Sequence, residues 1–560
     1  MDEDLEIPLG KRTIKYRFFE MVPAMLSYGA IFLLIILSFV SPILAAIYLM
    51  LVITTLLVKA VGIAYHTIVG NRMMQRAQSV DWMKRLNELE KPEFYHKNSV
   101  VGDLKEFGYT VHMDNLEKIC SNAGAFPKPS DVYNVAIIAT YNETYDTLGP
   151  TMESILKTTY NKDRLIIVIA YEERGGEAIE KTVKLLKKNY SDKFFEFLMV
   201  KHPKDMPGEV VGKGGNITYA GKYLKSWLDK KSIDYDNVIV TTLDSDNRPH
   251  ATYFDYVTYE FIVHEDRNNL SYQPISLFLN NIWDAPAPMR VVATGNSFWN
   301  IISSMRPHAL RNFASHSQPM KALVGMDFWS TRTIVEDGHQ YWRSYFHFKG
   351  DYSVYPIYVP IYQDAVLSDT YLKTLKAQFI QLRRWAYGAS DIPYVATRLF
   401  TTKISVPFFE GLGRFIRLLD GHVTLASVSI IVAIGGWVPL FINSRAFRDP
   451  IVHQLPDVVS VIQRIAMIGL FIMIFISLKL LPARPERYKK RRTVLMVLQW
   501  FLMPVTAVFY SSFSAFYSQT RLMFGRYLDK FDVTDKATAS LVKIKNKRLS
   551  KLRKKIDNHR

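Results

Sequence analysis

Two aspartates one residue apart close an apolar run: residues 238–243 (VIVTTL) lead straight into Asp244-Ser245-Asp246. Carboxylates so spaced at the end of a buried strand suit a hard divalent cation, Mg²⁺ or Mn²⁺, that bridges phosphate oxygens. Three Asp-x-Asp pairs occur, but Asp2/Asp4 lie at a terminus and Asp234/Asp236 in a loop-like stretch, so only the third follows a strand pattern. Other reactive groups fall at comparable points. Residues 135–139 (VAIIA) run into Thr140-Tyr141-Asn142-Glu143, and residues 165–170 (LIIVIA) into Tyr171-Glu172-Glu173. Later come Lys213-Gly214-Gly215-Asn216, Val335-Glu336-Asp337 and Gln381-Leu382-Arg383-Arg384-Trp385. A lysine, an arginine and a metal can neutralise an anionic leaving group. A carboxylate can take a proton from an attacking hydroxyl. An indole offers an apolar face with a polar edge.

Each of these has a plainer use. Glu336-Asp337 suits the positive end of a helix, Lys213-Gly-Gly-Asn216 a turn before one, and Arg383-Arg384-Trp385 an anchor at a membrane surface. Glu172 and Glu173 could be surface acids. Taken together, all of these but Glu172 and Glu173 lean toward function. Short continuous apolar runs alternating with helix-like segments mean parallel strands covered on both faces. In such sheets ligands bind at the carboxyl ends of the strands. Runs at 135–139, 165–170, 195–200 and 238–243 fit that pattern, and three of the four end in acids.

Blocks at 25–40 and 43–65 are nearly uncharged and separated by Ser41-Pro42. The first is at the short end of a span and is expected to begin at Met21 or Val22, and the second is long enough for a hydrocarbon core of ~30 Å at ~1.5 Å per residue. Lys11, Arg12, Lys15 and Arg17 precede the pair and Arg72 and Arg76 follow it, which predicts a hairpin with both ends inside. Three more blocks lie at 422–443, 458–481 and 493–517. Residues 403–419 are amphipathic, basic and aromatic, and predict a helix in the membrane interface. Five crossings would put the C-terminal tail outside, whereas its charge argues for inside. The last block, with Pro504 at its middle, is therefore expected to be re-entrant or interfacial.

The 560-residue chain is 49% hydrophobic, which excludes a disordered protein. Cys120 is the only cysteine, which excludes a disulfide scaffold. Of the net charge of +18, residues 483–492 hold six Lys/Arg against one Glu, and residues 543–560 hold nine against one Asp. Basic segments beside apolar blocks point to a cytoplasmic membrane surface and not to nucleic acid. The expected divisions are a hairpin at 1–66, a juxtamembrane linker at 67–130, a catalytic domain at 131–390, an interfacial region at 391–420, membrane segments at 421–518 and a basic tail at 519–560.

The ordered set of motifs, ending in Gln-x-x-Arg-Trp before a membrane block, resembles the membrane-bound family 2 glycosyltransferases, which include cellulose, chitin and hyaluronan synthases. The resemblance covers roughly residues 130–390 and the flanking apolar segments. It implies an α/β GT-A-type (Rossmann-like) cytosolic domain inserted between α-helical transmembrane segments of the plasma membrane. It also implies inverting transfer of a hexose from a nucleotide-diphosphate sugar, a UDP-sugar foremost, to a glycan or polyisoprenyl-lipid acceptor. By the same resemblance, Thr140, Glu143, Glu172, Lys213 and Asp244 line the donor site, Asp244 and Asp246 hold the metal, and Asp337 is the general base. Gln381, Arg384 and Trp385 form the acceptor and diphosphate end. Family members carry Asp-Asp where this chain has Glu172-Glu173, and Thr where it has Val335. A Phe-x-Val-Thr-x-Lys segment of some polymerising members is matched at 531–536. The rival reading is a transporter or scaffold that only binds nucleotide. It expects broken, repeated helices with polar sites, a pattern these spans lack.

Overall fold

The computed structural model describes residues 5–97, 106–401 and 404–528, so the segment 531–536 and the rest of the basic tail beyond residue 528 lie outside the described residues. An α/β domain is inserted between two groups of long apolar helices. Its strands are β1 (Tyr133–Thr140), β2 (Leu165–Glu172), β3 (Glu196–His202), β4 (Val238–Asp244), β5 (Arg248–Pro249), β6 (Leu270–Leu277), β7 (Ser317–Pro319) and β8 (Ser353–Tyr362). They form one sheet in the order β3-β2-β1-β4-β7-β6-β8-β5. The first four strands are mutually parallel, the Rossmann-like half, and β7 joins β4 antiparallel.

Both faces of the parallel half are buried, which is why its strands read as continuous apolar runs. Successive side chains alternate between faces. Ala136, Ile138, Ile167 and Ile169 pack to one side, Val135, Ile137, Ile166 and Val168 to the other. Register then brings the strand ends level: Ala139 lies opposite both Ala170 and Asp244, and Glu172 opposite His202.

The juxtamembrane segment expected as a polar linker contributes to the domain's core. Trp82, at the start of helix Trp82–Glu90, stacks on Tyr256 with ring centroids 3.7 Å apart and planes at 13°. Charged positions on this short helix mask the stripe formed by Trp82, Leu86 and Leu89, all buried.

Among the described residues, five helices are long and apolar enough to cross a membrane: Ile14–Val40, Pro42–Gln78, Phe408–Ile434, Leu455–Leu480 and Arg491–Met523. The amphipathic stretch at 403–419 is not a separate element, because Phe408–Ile434 is one helix whose first half, with Glu410, Arg414, Arg417 and Asp420, and apolar second half share an axis. In Arg491–Met523 the helix runs on through Pro504, loosened by a 3₁₀ turn and a π turn on either side of it. Both ends of this last helix bind the α/β domain. Arg492 donates to the carbonyls of Trp283 and Ala285 at 2.9 and 3.3 Å, and Ser518 Oγ donates to the Arg383 carbonyl at 2.6 Å. Its final turn also accepts from Arg17 near the start of the first helix, at 2.8 Å to the Met523 carbonyl.

Candidate functional site

The carboxyl edge of β1, β2 and β4 opens into a cavity of about 1260 Å³. Every residue given a site role from the sequence lines it: Thr140, Glu143, Glu172, Lys213, Asp244, Asp246, Asp337, Gln381, Arg384 and Trp385. The loop after β1 is shaped by Glu143, whose carboxylate accepts from Thr140 Oγ1 and from the backbone N–H of Tyr141, both at 2.7 Å. Asn216 ties this edge together, since its amide donates to the Ala170 carbonyl at 2.9 Å and to the Thr140 carbonyl at 3.4 Å.

Lys213 is the hub. It starts helix Lys213–Lys231, and the helix lies so close to the next loop that a Cβ on Gly214 would fall 2.3 Å from the Ser330 carbonyl oxygen. Gly214 is thus required by packing, and this packing delivers the lysine side chain to the cavity. Its ammonium lies 2.9 Å from Asp244, 3.1 Å from Asp337 and 3.8 Å from Glu336. Burial works against the charge, but the three carboxylates outweigh it and raise the Lys213 pKa. Glu336 and Asp337 occupy the first turn of helix Glu336–His347, as its dipole favours. Burial, then the neighbouring charge of Asp337, pushes the Glu336 pKa up, against the opposing pull of Lys213.

Asp246 is buried in the cavity wall and accepts from the Asp364 N–H at 2.9 Å, while Asp244 is one-third exposed to the cavity. Among the described residues no three His, Cys, Asp or Glu side chains gather into a preformed cage. Two hard carboxylates on one strand end fit a Mg²⁺-like ion that takes its remaining ligands from water and phosphate. Gln381, Arg384 and Trp385 share one face of helix Tyr371–Ala386, at the i, i+3, i+4 spacing. The Trp385 ring is 38% exposed and packs on one side near Phe278, at 5.9 Å between centroids.

Two histidines escaped the sequence reading. His202 ends β3, where the other three strands end in Thr140, Glu172 and Asp244; its place in that row was the available signal. Its Nδ1 is 3.1 Å from Glu172 and its Nε2 is 3.0 Å from Glu209. Burial disfavours the imidazolium, yet these two carboxylates prevail and raise the pKa from 6.5 to about 9. The stability this pairing contributes is fully present below about pH 6.5 and is lost as the pH rises through about 9. Thermal unfolding between about pH 6 and 10 should lose on the order of 2–3 kcal/mol from this source. His202→Gln should flatten that slope, and an equal slope in the variant would assign it to other groups. The second histidine, His316, lies in a loop with no periodicity to mark it. Its Nδ1 is 2.9 Å from the Phe313 carbonyl and 3.8 Å from Asp337, and the Trp329 indole N–H donates to its Nε2 at 3.3 Å.

No protein-family profile matches the chain, and no curated protein matches it in sequence. Solved structures do resemble it. The mannosyltransferase PcManGT from Pyrobaculum calidifontis, in complex with GDP-Man and Mn²⁺, is 11% identical, with 83% of this chain and 100% of that one covered and a TM-score of 0.35. S. aureus TarS 1–349 in complex with UDP-GlcNAc is 10% identical, with 71% of this chain and 93% of that one covered and a TM-score of 0.35. GalNAc-T7 with UDP, GalNAc and Mn²⁺ is 11% identical, with 53% of this chain and 58% of that one covered and a TM-score of 0.30.

Proposed function

We propose that this protein is an integral-membrane, inverting hexosyltransferase of the family 2 type, taking its sugar from a nucleotide-diphosphate donor, a UDP-sugar foremost, at the cytoplasmic face. The observation that carries the reading is the Lys213 ammonium lying between Asp244 and Asp337. One cation thus joins the strand end suited to a diphosphate and the carboxylate suited to an acceptor hydroxyl. Thr140, Glu143 and Glu172 border the nucleotide pocket at the ends of β1 and β2. Glu172 is held by Arg174 at 2.9 Å and by His202, which fixes it for a contact with the base. Lys213 shifts from its carboxylates to the diphosphate when the donor enters, and Arg384 approaches from the other side. Asp244 and Asp246 would hold Mg²⁺ or Mn²⁺, which when bound neutralises charge on the leaving diphosphate. Asp337 takes the proton of the acceptor hydroxyl as it attacks C1, opposite the departing diphosphate. Trp385 offers its ring to the apolar face of the acceptor sugar.

A membrane arrangement with four crossings accounts for the contacts of the apolar helices. The two hairpins, Ile14–Gln78 and Phe408–Leu480, leave and return to the domain, and Arg491–Met523 runs along the domain at the interface. This keeps the basic loop at 483–492 and the tail on one side, the side that positive charge prefers.

The test is to incubate the detergent-purified protein with a panel of nucleotide sugars and Mg²⁺ or Mn²⁺, and to measure nucleotide diphosphate release. One donor should be turned over, and excess chelator should stop it. Full turnover in chelator would remove the metal from this mechanism. No release with any donor, with or without added acceptor extract, would reject the transferase reading.

A further inference from the structure

The irregular segment ahead of the first apolar helix is built into the α/β domain. Ile7 is buried with Ile334, Tyr341 and Trp342, and Leu5, Val210 and Val335 pack on the same cluster. Its backbone is held as well. Tyr394 Oη donates to the Leu5 carbonyl at 2.9 Å, and Arg332 donates to the Ile7 carbonyl at 3.4 Å. A segment that served only to lead the chain into a membrane helix would run over the surface.

Between these two apolar residues stands Glu6, whose carboxylate makes two ties. It accepts from Ser330 Oγ at 2.6 Å and forms an ion pair with the buried Arg343. Arg343 belongs to helix Glu336–His347, which carries Asp337. Ser330 belongs to the loop whose carbonyl packs on Gly214, at the start of the helix that carries Lys213. The Val210 N–H donates to the Thr331 carbonyl at 2.8 Å and joins that loop a second time to the approach to Lys213. One carboxylate thus cross-links the two elements that bring Lys213 and Asp337 together.

The loop needs such a tie. Asp327 and Phe328 have φ of +54° and +66°, a left-handed pair that residues with a Cβ resist and that only surrounding contacts maintain. Arg343 donates to the Met326 carbonyl at 2.7 Å, just ahead of this pair. Glu6 therefore balances the cation that supports the loop's entrance, and through Ser330 it holds the loop's far side.

We propose that Glu6 is a positioning residue for sugar transfer, fixing the loop against the Lys213 helix and the helix beneath Asp337 so that ammonium and carboxylate meet at one point of the cavity. This rests on the transferase reading and adds to it a residue that does not line the cavity. Thr140, Glu143, Glu172 and Asp244 stand at strand ends, so the effect of Glu6 belongs to turnover and not to donor affinity.

The test uses the full-length protein in detergent. In Glu6→Ala, kcat should fall about tenfold or more while donor KM stays within about threefold, the pattern of misplaced groups with intact binding. Glu6→Gln keeps an acceptor for Ser330 and Arg343 and should recover most of the loss. Glu6→Ala combined with Arg343→Met removes both charges and should regain unfolding temperature but not kcat. Hydrogen exchange, which needs no donor, should quicken about tenfold at residues 328–337 of Glu6→Ala and not in β1 or β2. Unchanged exchange there, a kcat near that of the wild type in Glu6→Ala, or a kcat that recovers together with stability in the double variant would overturn the proposal. Wild-type turnover separates the two ideas. Faster exchange with undiminished kcat rejects this role alone, whereas faster exchange with no donor turned over by the wild type rejects the transferase reading and this role with it.

Discussion

Asp337→Asn is expected to leave donor binding intact and to slow sugar transfer by ~10²–10⁴-fold, the range a positioned general base supplies. The amide has the shape of the carboxylate but cannot take a proton. Donor affinity should hold steady or rise. Lys213 now divides its charge among Asp244, Asp337 and Glu336. Removing one of these competitors frees the ammonium for the diphosphate. The pairing of undiminished donor affinity with lost turnover distinguishes this role from a structural one, in which both would fall. Nucleotide-sugar binding by calorimetry and diphosphate release, measured side by side, check it. Turnover within tenfold of the wild type would mean that another group takes the proton.

The neighbouring candidates for that proton are less suited. Burial, then the charge of Asp337, pushes the Glu336 pKa up and favours its neutral form, and a protonated acid cannot serve as the base. His316 is fully buried, with Nδ1 turned to the Phe313 carbonyl and Nε2 receiving the Trp329 indole N–H. Both ring nitrogens are occupied, and burial pushes its pKa down. Asp337, on the cavity wall and 18% exposed, retains access to an incoming hydroxyl. His316 instead limits how far the Asp337 carboxylate can turn, by standing 3.8 Å behind it.

The parallel half of the sheet was legible because burial on both faces leaves uninterrupted apolar runs, and the chemistry follows those runs at their carboxyl ends. Asp244 and Glu172 could be read for that reason alone. Asp337 and Trp385 could not be joined to them by periodicity. Asp337 is joined to them by the meeting of two helix starts, at Lys213 and Glu336, and Trp385 reaches the same cavity from the end of a third helix; spacing along the chain says nothing of either. The second half of the sheet was missed. Strands β6 and β8 pair parallel with a register shift after Pro274, and β8 itself carries Pro356 and Pro360. Prolines interrupt the signature of a strand. Trp82 was hidden among charges, and its stacking on Tyr256 depends on a tertiary contact across more than a hundred residues. The length and hydropathy of the last apolar block suit a crossing, whereas the hydrogen bonds at its two ends tie it to the domain. Hydropathy records what a helix can tolerate on its surface, and only those contacts indicate where it runs.

Lys213→Met should cost both activity and stability, and the pH dependence of the loss identifies its cause. The methionine fills similar space but leaves three carboxylates facing one another. Removing one partner of a buried ion pair costs about 3–5 kcal/mol. Because Asp244 is one-third exposed and partly screened, about 2–4 kcal/mol is expected at neutral pH. Without the lysine the carboxylates repel one another, and protonation relieves that repulsion. Such groups fold most favourably when protonated, and the variant's deficit should therefore shrink as the pH falls toward 5 and grow as it rises to 7. Added Mn²⁺ should raise the unfolding temperature of the variant more than that of the wild type, because a cation at Asp244 and Asp246 supplies part of the missing charge. Transfer should fall ~10²–10³-fold even where the protein remains folded, the cost of losing one preorganised donor to a leaving group. Chemical denaturation at two pH values, with and without Mn²⁺, checks the stability arm. A deficit that is the same at both pH values would mean the lysine acts through packing, and the electrostatic link between the donor and acceptor sides of the cavity would have to be abandoned.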